Sequence, residues 1–253
     1  MYRARVIPCL LIRGNGLVKT RKFKDPVYIG DPVNAMRIFS EKEVDEIVVL
    51  DITASREGRE PNYELIEEMA GEAFMPMAYG GGIRTLDQVR RLIRCGIEKV
   101  VINTAATEST AVLRAAAAEF GNQAVVGAVD VRKPLIGRYR VLSKSATVET
   151  KLDVHEHIRN LVRSGAGEIL LNSVDRDGMM NGYDLELIRI VTRMVNVPVV
   201  ACGGAGTLEH LSQGIRDGGA SAVAAGSMFV FHGKHRAVLL SYLKPSELRD
   251  YFS

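Results

Sequence analysis

Two stretches half a chain apart repeat one another, and that repeat limits the possible folds more than any other feature. PMAYGGGIRT (76–85) matches PVVACGGAGT (198–207) in residue type and order, at an offset of 122 residues. The runs that follow, KVVINTA and AVAAGSM, align Asn103 with Gly226 and Thr104 with Ser227. Solenoid repeats have periods of roughly 20–50 residues, so this offset instead signals a duplicated half-domain. The 253-residue chain therefore reads as one domain built from halves of about 1–122 and 123–253.

Each half supplies four short apolar runs. The strand candidates are 5–10, 46–51, 75–80, 99–103, 124–130, 168–172, 197–202 and 221–226. None alternates cleanly enough to own a wet face, as expected of parallel strands covered on both sides. Helical stretches lie between them. Asp31 with Pro32 makes a helix start, and Thr85 with Gln88 has capping-box spacing in a segment closing on Gly96. Eight strands alternating with helices over about 250 residues is the arithmetic of a (β/α)8 TIM barrel. A doubly wound open sheet competes, but it usually has fewer strands and a glycine-rich first turn.

In such a barrel, function collects at the C-terminal ends of the strands. Gly81-Gly82 and Gly203-Gly204 follow strands 3 and 7, each just before a helix start, where backbone N–H groups and the helix dipole favour an anion. Asn103-Thr104 and Gly226-Ser227 end strands 4 and 8 and would complete two equivalent cups. One Gly-Gly pair is more often a tight turn. Two at opposite sides of one mouth suggest a small molecule phosphorylated at both ends. Lys19, in the long loop after strand 1, either folds over it or is a solvated surface lysine, and the Asp177-Gly178 turn either supports the second cup or is simply a turn signal.

Composition removes other functions. Thirty-three basic and 30 acidic residues leave a net charge of +3, which gives no case for nucleic acid. No 18-residue apolar run and no secretory leader are evident, so a cytoplasmic protein is expected, with no membrane partner. Cys9, Cys95 and Cys202 are widely spaced and read as reduced thiols. The five histidines (155, 157, 210, 232 and 235) lack metal-ligand spacing, and no GxxxxGK[ST] phosphate loop is present. No metal and no cofactor are expected.

The motifs RVIPCL, VVLDITAS (48–55), GGGIRT, VINTAA, GNQAVVGAVD (121–130) and GAGEILLNSVDRDGMMNGYD (165–184) together resemble the cyclase subunit of imidazole glycerol phosphate synthase, over residues 3 to 243. An isomerase sister family shares the barrel, but SVDRDGMMNGYD looks like the cyclase version. The resemblance implies a bisphosphate site at the mouth and a class I glutaminase docked beneath the N-terminal face, sending ammonia up through the barrel. It also implies two catalytic aspartates, on strands 1 and 5, as general acid and base.

Asp130 matches one of them. The other position is Leu11. Arg5, Ile7, Cys9 and Leu11 share parity, as do Val126, Ala128 and Asp130, so both positions face inward. Asn172 and Cys202 also depart, standing where the family usually has threonine and serine; Asp51 remains near the mouth. At the other end, strands 1, 2, 4 and 6 open with Arg5, Glu46, Lys99 and Glu168, matching positions that fence the family's ammonia entrance. Lys99 and Glu168 share parity with Asn103 and Asn172. Glu46 and Asp51 do not share parity, so strand 2 requires a bulge or leaves one of them outside. Four inward charges of alternating sign would close a ring, and Glu98 beside Lys99 is a candidate glutaminase contact.

A preserved floor beneath a rewritten mouth resembles the divergent cyclase paralogues found beside surface-polysaccharide genes, whose opening GNGLVKTRKFKDPVYIGDP (14–32) echoes. That resemblance implies a role in converting an N-acetyl sugar to an acetamidino sugar for lipopolysaccharide O-antigen, with ammonia passed to an ATP-dependent sugar amidotransferase. The alternative is a working cyclase of histidine biosynthesis that tolerates Leu11.

Overall fold

The computed structural model describes residues 4–252, except for the side chains of 245, 249 and 250. Among the described residues, eight parallel strands close on one another. They are β1 (Arg5–Arg13), β2 (Ile47–Asp51), β3 (Met77–Gly80), β4 (Lys99–Ile102), β5 (Val125–Arg132), β6 (Glu168–Ser173), β7 (Val199–Cys202) and β8 (Ala222–Ala225). They pair in chain order, and β8 returns to β1, so no barrel edge is left open. The architecture is the (β/α)8 barrel read from the sequence.

Two apolar layers hold it. The outer layer packs β-branched and Leu side chains against the surrounding helices; Phe39, Tyr79 and Phe229 are among the largest side chains buried there. The inner layer fills the barrel itself, with Ile7, Val48, Ala78, Val126, Val200 and Ala222 at its middle. Alternation along each strand assigns a residue to one layer or the other.

Helix starts follow the local chemistry of the chain. Asp31 caps the helix Pro32–Glu41 by accepting from Asn34 N–H, with Pro32 at the first position. Thr85 and Gln88 close a capping box on Leu86–Arg94. The second half repeats this device with different atoms. Thr207 caps Leu208–Arg216 through His210 N–H, while His210 Nδ1 accepts from Gly206 N–H at 3.3 Å, as Gln88 Oε1 does from Arg84 N–H.

The segment after β1 is not the loop expected from the sequence. Gly16–Arg21 runs antiparallel to β1 and pairs with Lys24–Gly30. Its turn places Lys22 and Phe23 at φ of 51° and 62°, the left-handed pair of a two-residue hairpin, without the Asn-Gly that normally signals one. A second excursion, Arg140–Ser143, pairs antiparallel with β5 and reaches across, where the Ser145 hydroxyl donates to Ile52 O at 2.6 Å.

Candidate functional site

The floor and the mouth are built from the same strands and differ in how their polar groups are satisfied. At the floor, Arg5, Glu46, Lys99 and Glu168 meet inside the barrel. Lys99 Nζ donates to Glu46 at 2.8 Å and to Glu168 at 3.0 Å, and Arg5 hydrogen-bonds both carboxylates from the other side. The ring is closed: each carboxylate has two cations and each cation two carboxylates. The carboxylates keep 4% and 8% side-chain exposure, the cations 23% and 20%, so the ring shows its positive members to solvent below. Burial works against the Arg5 cation, but hydrogen bonds and charge from Glu168 and Glu46 outweigh it and raise its pKa. Each charge offsets the desolvation of its neighbours.

Strand 2 resolves its parity conflict without a bulge. Its register with β1 and β3 is continuous, so Glu46, Val48 and Leu50 face inward and Asp51 does not. Asp51 has the opposite parity but still lines the mouth cavity at the strand end; it accepts from Thr53 and Ala54 N–H at 2.9 and 3.0 Å and lies 3.6 Å from Arg59. It braces the β2 exit. Glu98, exposed beside the ring, accepts from Met77 N–H at 2.7 Å.

The mouth is a cavity whose wall includes Leu11, Lys19, Asp130, Asn172, the two Gly-Gly turns and Ser227. The glycines there are required by the backbone. Gly204 sits at φ +121°, and an added Cβ would lie 2.2 Å from Gly182 O; Gly81 has φ +131° against Asp51. Side-chain atoms of the two cups are not equivalently committed. Thr104 Oγ1 already accepts from Lys144 N–H at 3.1 Å, whereas Ser227 Oγ is buried without a partner.

Two expected ligand contacts have other work. Lys19 lies on the Gly16–Arg21 strand, buried, with Nζ 3.1 Å from Asp177 Oδ1. Asp177 also accepts from Thr20 Oγ1 at 2.8 Å and from Phe23 N–H at 3.4 Å, and its backbone carbonyl accepts from Lys22 N–H. Gly178 packs so tightly on Thr20 O that a Cβ would reach 2.2 Å. Asp177-Gly178 therefore fastens the hairpin over the mouth, and Lys19, Asp177 and Gly178 all line the cavity there. Thr20 and Ser145 line the mouth as well, and only the unrecognised hairpins bring them there.

At the centre, Asp130 (β5), Asn172 (β6) and Cys202 (β7) are register neighbours. Asn103 Nδ2 donates to Asp130 Oδ2 at 2.8 Å. Burial raises the Asp130 pKa to about 7, the Asn103 hydrogen bond opposes, and Asp177 adds like charge. Leu11, on the diametrically opposite strand, is 9% exposed and pairs in register with Leu50 and Val18, in an apolar wall. The mouth thus has one carboxyl able to exchange a proton near neutral pH; the opposite strand offers only Leu11, and the nearby Asp177 carboxylate is held by Lys19. Cys202 is held in its thiol form, its pKa raised by a hydrogen bond with the Cys9 thiol and by burial. Among the described residues no group of three or more His, Cys, Asp or Glu side chains is placed to hold a metal, and no helix is long and apolar enough to cross a membrane.

Residues 5–236 match the family model described as histidine biosynthesis protein. A protein of Pseudomonas aeruginosa, provisionally named imidazole glycerol phosphate synthase subunit hisF2, is 54% identical over 242 residues, covering 96% of each chain. One from Leptospira interrogans, with a similar provisional name, is 48% identical and again covers 96% of both. A Vibrio vulnificus relative, provisionally named subunit hisF3, is 44% identical across 98% of this chain and 95% of its own.

Proposed function

The chain belongs to the histidine biosynthesis protein family, among the HisF-like subunits of imidazole glycerol phosphate synthase, and from that premise we propose that it accepts ammonia through its floor without being a cyclase. A class I glutaminase docks on the N-terminal face beneath the ring, with Glu98 at its edge. Ammonia enters when one ion pair parts, and the apolar interior passes the neutral molecule while refusing ammonium and bulk water. The observation that carries this reading is the contrast between the closed ring and Leu11 facing Asp130. The passage needs only the first. Ring-closing chemistry needs a second proton-handling group, and general acid–base help is worth roughly 10²–10⁴ in rate.

The mouth keeps two cups for a phosphorylated ligand, formed by Gly81, Gly82, Asn103 and Thr104 on one side and Gly203, Gly204, Gly226 and Ser227 on the other. The similarity of residues 14–32 to polysaccharide-linked paralogues supports a separate ATP-dependent amidotransferase as the consumer of ammonia, acting on an N-acetyl sugar for O-antigen. Retention of Asp130 with its raised pKa favours the second reading, a cyclase with one carboxyl.

The test is glutamine labelled with ¹⁵N in its side-chain amide, given to the chain, a class I glutaminase and the amidotransferase in excess unlabelled ammonium. The product is expected to carry the label, and Lys99→Met is expected to lower its share. Label diluted to the bulk ratio in the unmodified complex would overturn the passage.

A further inference from the structure

The centre of the mouth has an imbalance that neither the phosphate cups nor the ring explains. Among the described residues, Asp177 is neutralised by Lys19 and Asp51 lies beside Arg59, but no cationic side chain lies within ion-pair distance of Asp130. Flanking it on the two neighbouring strands are two amide oxygens, Asn103 Oδ1 and Asn172 Oδ1, both buried and both without a hydrogen-bond partner. Asn103 spends its Nδ2 on Asp130, which leaves its Oδ1 as the free acceptor when that carboxyl is ionised. Asn172 is 7% exposed and lines the cavity. Asn172 pairs in register with Asp130, Asn103 hydrogen-bonds it from the other side, and all three line the cavity, with Asn172 Oδ1 lying against Gly203. Buried acceptors left unpaired are costly, and so is a buried carboxylate without a counter-charge.

We propose that Asp130, Asn103 and Asn172 form a binding site for a single ammonium ion at the upper end of the barrel interior. Ammonium suits it because it brings one positive charge and four N–H donors, matching one carboxylate and two amide oxygens. Leu11 fits the same assignment: an aspartate there would put a second negative charge across from the first and favour a divalent ion or a proton shared between carboxyls. The proton balance is simple. Ammonia arriving neutral takes the proton of the Asp130 carboxyl, leaving ammonium paired with carboxylate, and returns it when ammonia departs toward an acceptor. The source of the ammonia rests on the function proposed above; binding does not, because it is measured on the isolated chain.

The groups facing Asp130 set the pH dependence. They are Asp177, with Lys19 on it, from the hairpin side, Asn103 on β4, Asn172 on β6, and the thiols of Cys9 and Cys202. Protons compete with ammonium for the carboxylate, whose pKa is raised to about 7. Binding should therefore strengthen as pH rises from 6 to 8.

The probe is ammonium chloride titrated into the full chain by calorimetry, with choline chloride at matched ionic strength as the size-excluded control. Saturable binding is expected at pH 8, at least several-fold weaker at pH 6. Asp130→Asn is expected to abolish it, and Asn172→Leu to weaken it tenfold or more with the ammonium-free melting temperature still cooperative. Ammonium behaving like choline, potassium binding more tightly than ammonium, or Asn172→Leu binding as the parent does would each overturn the proposal. Failure of the ¹⁵N transfer experiment with ammonium binding intact would remove the passage and leave the site.

Discussion

The floor and the mouth of this barrel treat charge in opposite ways. At the floor four charged side chains satisfy one another completely, and nothing is left for a ligand to complete. At the mouth, among the described residues, one carboxyl stands without a cation, side-chain oxygens of Asn103, Asn172 and Ser227 have neither a hydrogen bond nor an ion pair, and the strand opposite Asp130 offers only Leu11. A self-satisfied ring acts as structure until something pries it open. An unsatisfied cluster is a site awaiting a guest. The same strands carry both, so the difference lies in a few side chains at their ends and not in the fold.

The contrast breaks most severely if a ring carboxylate is lost. Glu168→Leu leaves Arg5 and Lys99 sharing Glu46 alone. Breaking a buried pair costs about 3–5 kcal/mol, and solvent contact of the two cations lowers the expected loss to about 2–4 kcal/mol in urea unfolding. Next is Gly204→Ala at the mouth, which forces a Cβ into Gly182 O at a φ of +121°. It should cost about 1–3 kcal/mol and remove inorganic phosphate binding measured by calorimetry.

Asp130 sharpens the comparison through pH. Its folded pKa, about 7, lies above the ordinary carboxylate value, so the folded state holds the proton more tightly than the unfolded chain does. Stability from this group is full below the unfolded pKa and is lost as pH rises through about 7. Asp130→Asn should flatten that fall, and paired unfolding curves at pH 4, 6 and 8 read the difference. The smallest expected effect is Thr85→Ala, which deletes a helix cap on the outer ring and should cost about 1 kcal/mol by urea unfolding with ammonium binding unchanged.

The fold was legible because it is written in repetition. Eight apolar runs, two Gly-Gly turns and a capping box at Thr85 each carry a local signal, and strand parity alone puts Leu11 and Asp130 inside, where both line the mouth cavity. Parity leaves open a bulge or one of Glu46 and Asp51 off the inner row, and the uninterrupted register of β2 takes Asp51 off that row, with the residue still at the cavity edge. The hairpin at 16–30 was illegible for a physical reason. Lys22 and Phe23 take left-handed backbone angles that their side chains do not advertise. With the hairpin hidden, Lys19 reads as a loop residue folding over a ligand or as a solvated surface lysine, and nothing in the sequence shows its ion pair with Asp177. The unpaired oxygens of Asn103 and Asn172 are likewise facts of assembly, since three strands must come together before an acceptor is seen to lack a donor.

The central claim is that proton handling has gone from one side of the mouth while the floor remains. It is tested most directly by turnover of the bisphosphorylated ribonucleotide substrate of imidazole glycerol phosphate synthase with ammonium salt and no glutaminase. The chain should turn over at least about 10²-fold more slowly than its Leu11→Asp variant, the lower end of what a general acid or base contributes. Turnover of the unmodified chain equal to that of the variant, at a rate typical of enzymes (about 1 s⁻¹ or more), would mean that Leu11 costs nothing and that the protein is a cyclase.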